Sequence, residues 1–271
     1  MRRQASSMSI LAAGVAVAAA LAGWRSGLTA PLIADNRPNA IAVDTELVLA
    51  VDVSNSMDPE EQELQRQGYV TAITSREFMQ ALRGGMHGKV AVTYFEWAGL
   101  NDQKILMPWR LIDGPESADA VAAELMNAPY RRAPRTSIYG ALKFAQPLFD
   151  ASGYSGLRRV IDVSGDGANN MGPQVTLMRD EVVAAGITIN GLPIMLKRPN
   201  TYGMYGMTME NLDIYYEDCV IGGPGAFVVR IQDRDQFKEA TRTKLVQEIA
   251  SHSGKARVMT AQTRPSRVYC S

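Results

Sequence analysis

Leu47-Val48-Leu49-Ala50-Val51-Asp52-Val53-Ser54-Asn55-Ser56 is the stretch whose reading decides the fold of this chain. Its first five residues form a continuous apolar run, the pattern of a strand buried on both faces and hence of a parallel sheet. Polar residues begin where such a sheet meets its crest of loops, and that crest is where open α/β sheets bind ligands. One carboxylate and two hydroxyls at alternate positions give three oxygens that a tight turn can aim at one point. That set suits a hard divalent cation such as Mg2+. Taken alone, Asp-x-Ser-x-Ser reads first as turn and helix capping, because Asp and Ser side chains bond readily to nearby backbone.

Outward from this stretch, helical and extended patterns alternate. Asp58-Pro59-Glu60-Glu61 combines an Asp cap, Pro at the first helical position and Glu at the third, and predicts a helix running to about Leu82. After Gly84-Gly85, the β-branched and aromatic run from Lys89 to Trp97 predicts a second strand. A third, Gln103 to Trp109, reads as an antiparallel edge because Pro108 is tolerated where no ladder partner is needed. Helices are predicted around Ala118 to Met126 and from Ile138, the latter bent or ended by Pro147. A strand at Arg159 to Val163, a helix from Gln174 to Ala185, strands at Ile187 to Ile194 and around Ala226 to Ile231, and a closing helix from Gln236 to Ser251 complete the alternation. The predicted class is α/β: a doubly wound, mostly parallel central sheet with one antiparallel edge strand and helices on both faces. Asp162 lies inside an apolar strand, so its carboxylate needs a Lys or Arg partner or a place at a ladder edge. The insertion from Lys197 to Glu210 reads as an irregular loop, a kind of segment that often carries partner contacts.

Two later segments repeat the chemistry of the Asp52 turn. Thr136 opens Thr136-Ser137-Ile138-Tyr139-Gly140-Ala141-Leu142 after the turn-forming Ala133-Pro134-Arg135, and Asp166 follows a strand in Ser164-Gly165-Asp166-Gly167. This ordered set resembles the metal-ion-dependent adhesion site of the von Willebrand factor type A (VWA) domain: Asp-x-Ser-x-Ser, a Thr before a helix ending in Ala-Leu, then Asp-Gly after a central strand. The resemblance covers residues 44–252. It implies that Ser54, Ser56 and Thr136 hold an ion through hydroxyls or bridging waters, with Asp52 and Asp166 supplying negative charge. It also implies that an Asp or Glu of a partner protein completes the coordination. The family usually has Thr-Asp-Gly where this chain has Ser164-Gly165-Asp166-Gly167. The Asp166-Gly167-Ala168-Asn169-Asn170 loop and the stretch from Tyr216 to Gly225 look like an uncharacterised bacterial secreted branch of the superfamily.

Two functions follow, from different classes. The first is a metal-dependent protein-interaction module holding Mg2+, with Mn2+ and Ca2+ as alternatives. The second is a Mg2+-dependent phosphatase of the haloacid dehalogenase type, with Asp52 as the nucleophile of an aspartyl-phosphate. Against it, that superfamily places a second Asp where this chain has Ser54, which has no proton-transfer role near neutral pH, and Asn170 replaces another expected Asp. His87 and His252 lie outside the site, so a Ser-His-Asp hydrolase has no His to work with.

The 271 residues suffice for one large α/β domain, and 46% apolar with 21% charged residues is ordinary for a globular core. Lys plus Arg balance Asp plus Glu at 28 each, so no overall field favours nucleic acid or an anionic membrane. Arg2 and Arg3 before the Ala/Val/Leu-rich stretch from Met8 to Ala22 predict export, with residues 1–34 as a signal peptide or an uncleaved N-terminal anchor. A flexible lead over 35–43 and a domain over 44–252 follow, and the protein is expected to be periplasmic or secreted, touching membrane only through that leader. Cys219 and Cys270, an even pair in an exported chain, predict one disulfide tying the tail, 253–271, to a loop after the fifth strand. Two unrelated buried thiols are the alternative.

Overall fold

The computed structural model describes residues 39–196, 211–250 and 267–270, all within one compact unit. Five strands form its sheet: β1 (Ile41–Asp52), β2 (Val90–Trp97), β3 (Gln103–Ile112), β4 (Tyr154–Gly165) and β5 (Thr188–Pro193). Their order is β3-β2-β1-β4-β5, parallel throughout except for β3, which pairs antiparallel with β2 at the edge. β1 is therefore central, as its unbroken apolar run requires. It starts at Ile41, which pairs with Tyr154, six residues before the apolar run that opens at Leu47.

Alternate residues of β1 serve opposite faces of the sheet. Leu47, Leu49 and Val51 pack against α1 (Pro59–Ile73), α2 (Arg76–Arg83), α3 (Pro115–Asn127) and α7 (Phe237–Ile249). Val48 and Ala50 pack against α4 (Ile138–Ala145), α5 (Val175–Ala184) and α6 (Leu212–Tyr215), joined by Phe95 and Trp97. α6 continues into a π-helical turn, Tyr216–Val220.

Three expectations are corrected by the structure. The single helix to Leu82 is two, because Ser75 caps a new one: its Oγ accepts from Phe78 N at 3.1 Å and donates to Ala72 O at 2.7 Å. Such local bonds compete with an uninterrupted helix. Residues 226–231 are no regular strand. They follow β5 in parallel, with Gly191 N donating to Phe227 O and Ile231 N to Pro193 O, but Pro193 lacks the N–H that would continue the ladder to Val229, leaving isolated bridges. Cys219 does pair with Cys270, Cα to Cα 5.4 Å, yet it lies in the π-helical turn rather than a loop. Arg267 reinforces that closure through Glu217 and Asp218. The insertion at 197–210, His252 and residues 1–34 fall outside the described residues.

Asp162 takes the first of its two options, on a central strand rather than an edge. The fully buried Lys244 of α7 lies 2.5 Å from its Oδ1 and also pairs with Glu248, while Tyr69 Oη donates to Asp162 Oδ2 at 3.2 Å. Two carboxylates thus share one ammonium inside the apolar core beneath α1 and α7.

Candidate metal centre

Asp52 is the last residue of β1, and its Oδ1 accepts from Ser54 N at 2.7 Å, which folds the chain back at once. Met57 N donates to Ser54 O at 2.9 Å and closes the turn; the capping box of Asp58 and Glu61 then launches α1. The turn stacks the two hydroxyls, with Ser54 Oγ 2.7 Å from Ser56 Oγ. Ser56 Oγ donates across 110 residues of sequence to Asp166 Oδ1 at 2.6 Å. The additional Gly before Asp166 therefore leaves the carboxylate within reach, because β4 carries through Gly165 and delivers Asp166 beside the Asp52 turn.

Thr136 is brought in by a different set of bonds. Ala133 N donates to Val53 O at 3.1 Å and Ser137 N to Ala98 O at 2.7 Å, fastening its loop to the ends of β1 and β2. Asn170 grips it from the other side, its Oδ1 accepting from Thr136 N at 2.9 Å and its N donating to Thr136 O at 2.8 Å. Asn169 Oδ1 accepts from Tyr139 N at 3.1 Å in the first turn of α4. A Cβ on Gly167 would stand 3.8 Å from Thr136 Oγ1, so this hydroxyl lies next to the Asp166 loop. All five predicted residues thus meet at one crest. Asn169 and Asn170 are the supporting residues, a role the sequence reading did not give them although it singled out their loop; their signal is an Asn pair one residue after Asp166-Gly167.

Electrostatics sharpen the picture. Asp52 is fully buried, and burial first, then the charge of Asp166, pushes its carboxyl up to about 8, against the bonds from Ser54. Asp52 Oδ2 and Tyr216 Oη are buried without a hydrogen-bond partner among the described residues. Both face Gly165, where a Cβ would lie 2.8 Å from Asp52 Oδ2 and 3.1 Å from Tyr216 Oη. Only glycine fits between them. A buried carboxyl with one oxygen unsatisfied, a second carboxylate bonded to the stacked pair of serine hydroxyls, and the Thr136 hydroxyl next to the Asp166 loop make an all-oxygen set of the kind that suits a small hard cation. Among the described residues no three His, Cys, Asp or Glu side chains cluster at ligand spacing; the oxygen set here is two carboxylates with hydroxyls.

The sheet order and the antiparallel edge give a VWA-like α/β fold, and solved structures agree on it. A pilus adhesin, SpaC, from Lactobacillus rhamnosus GG is similar at TM-score 0.57 with 14% identity, over 78% of this chain and 31% of that one. Proximal thread matrix protein 1 from the mussel byssus matches at 0.55 with 13% identity, over 77% and 49%, and a von Willebrand factor type A protein from Catenulispora acidiphila at 0.50 with 14% identity, over 77% and 43%. The chain spans half or less of the length of each. It belongs to the family described as "Protein of unknown function (DUF1194)", whose pattern covers residues 42–253. No curated protein matches it.

Proposed function

We propose that this domain is an exported, metal-dependent protein-interaction module. Asp52, Ser54, Ser56, Thr136 and Asp166 would hold one divalent ion, Mg2+ by preference with Mn2+ or Ca2+ as alternatives, and an Asp or Glu of a partner protein would complete its coordination. The bound ion supplies a Lewis-acidic position for that carboxylate; the chain supplies the cage and its opening to solvent at Asn55 and Ser56, both exposed. The observation that carries the reading is the bonded run Ser54, Ser56, Asp166 beside the half-satisfied, buried Asp52. The mussel protein of the same fold has a form described with a zinc-occupied metal-ion-dependent adhesion site, which supports a divalent ion at this crest. Export is supported by the Cys219–Cys270 disulfide, a bond of oxidising compartments. No helix among the described residues is long and apolar enough to cross a membrane.

The phosphatase alternative gains nothing from the geometry. Asp52 has no solvent exposure, and its Oδ1 is held by Ser54 N, so the carboxylate is badly placed to attack a phosphoryl group. A pull-down from the cell envelope with and without chelator tests the proposal. Capture of a partner in Mg2+ that is lost both in chelator and on Asp52→Ala, with unchanged circular dichroism, is the expected result. Capture that survives chelation overturns it.

A further inference from the structure

The crest around the proposed metal centre carries charge that the centre itself does not use. Arg132 is exposed, and its guanidinium donates to the carbonyl of Asn55 at 2.5 Å, on the residue between Ser54 and Ser56. It therefore stands beside the exposed Asn55 and Ser56, with one of its five N–H donors used on Asn55. Its neighbour Arg131 is turned inward and paired with Glu96 at 3.0 Å and Asp102 at 2.7 Å. Arg132 and the exposed Arg135 meet no carboxylate among the described residues.

This loop is held rather than free. The bond from Ala133 N to Val53 O and the bridge between Ser54 and Ala133 tie it down on one side, and the bond from Ser137 N to Ala98 O on the other. Between these anchors Arg135 is kept at φ 75°, a left-handed conformation unusual for a residue with a side chain. A guanidinium already positioned at the lip of a carboxylate-accepting centre loses little freedom when an anion arrives.

We propose that the partner segment presents two carboxylates a few residues apart: one for the metal, the second for the Arg132 guanidinium. The inference rests on the metal-dependent reading above and adds the partner's chemistry, an acidic pair rather than a lone Asp or Glu. Charge complementarity favours it, since two carboxylates at the centre roughly offset a divalent ion and leave Arg132 as the uncompensated charge at the lip.

The test uses the full chain in saturating Mg2+ and two end-blocked synthetic peptides, Gly-Asp-Gly-Gly-Gly and Gly-Asp-Gly-Asp-Gly, titrated by NMR. The two-carboxylate peptide is expected to bind about threefold to fivefold tighter, the size of one exposed charged contact. On Arg132→Gln that advantage falls below about twofold while the one-carboxylate peptide is nearly unaffected, a split that general damage would not produce. Equal binding of the two peptides by the unmodified chain, or an advantage that survives Arg132→Gln, overturns the acidic pair and leaves the metal reading standing. Binding of either peptide that ignores chelator, or no binding at all, removes the metal reading and the pair with it.

Discussion

Replacing Glu248 by Gln probes the buried cluster beneath the crest. Glu248 has almost no exposure, and burial first, then the adjacent Asp162 charge, pushes its carboxyl from 4.5 up to about 7, against the attraction of Lys244. Between those two pH values the folded chain keeps the proton while the unfolded chain has released it. The folded state therefore binds more protons, and its stability falls as pH rises through the window. At 1.36 kcal/mol for each pH unit, ionised Glu248 costs the fold about 3 kcal/mol above pH 7, a cost absent below about pH 4.5. Glu248→Gln removes the titration and leaves Lys244 matched with Asp162 alone, its amide still within reach of Asn190 Nδ2, which donates to Glu248 Oε1 at 3.4 Å. Urea unfolding of both proteins in chelator, from about pH 5 to about pH 8, is the assay. The variant should be more stable than the parent near pH 8 by up to about 3 kcal/mol, and the gap should close on acidification. Using the difference between the two proteins cancels Asp52 and Glu96, raised carboxyls away from this cluster that slope the same way, while Asp162, whose charge acts on Glu248 directly, remains part of the measured difference. Parallel profiles across that range would refute the reasoning.

Three further outcomes are expected. Lys244→Met leaves Asp162 and Glu248 buried without their cation and should destabilise the domain by about 3–5 kcal/mol near pH 8, less in acid, by the same unfolding measurement. Gly165→Ala places a methyl 2.8 Å from Asp52 Oδ2 and 3.1 Å from Tyr216 Oη, so calorimetry should show Mg2+ affinity reduced at least about tenfold, with a stability loss of about 1–3 kcal/mol. Reducing Cys219–Cys270 opens a link across 51 residues and should lower stability by about 4 kcal/mol, read as a shift of the unfolding midpoint with and without reductant.

Legible along the chain were those features set by local pattern. The apolar run to Val51 marked the buried central strand, Pro108 the edge, the Asp58 box the start of α1, and each residue of the proposed metal site sat in a turn at a strand end or helix start, where short-range rules operate. Ser75 was readable in principle, since a lone Ser can cap or continue a helix, and only packing of Phe78 and Leu82 into the core chose the cap. The fate of residues 226–231 depended on their neighbour, because Pro193 removes a bond from a different strand. Equally invisible were the partner of Asp162, some eighty residues away on α7, and the meeting of Asp52 with Tyr216 across Gly165. Composition and spacing constrain what each segment becomes, but which buried charge finds which counter-charge is a property of distance in the folded chain, and that exists only once the sheet has brought its crest together.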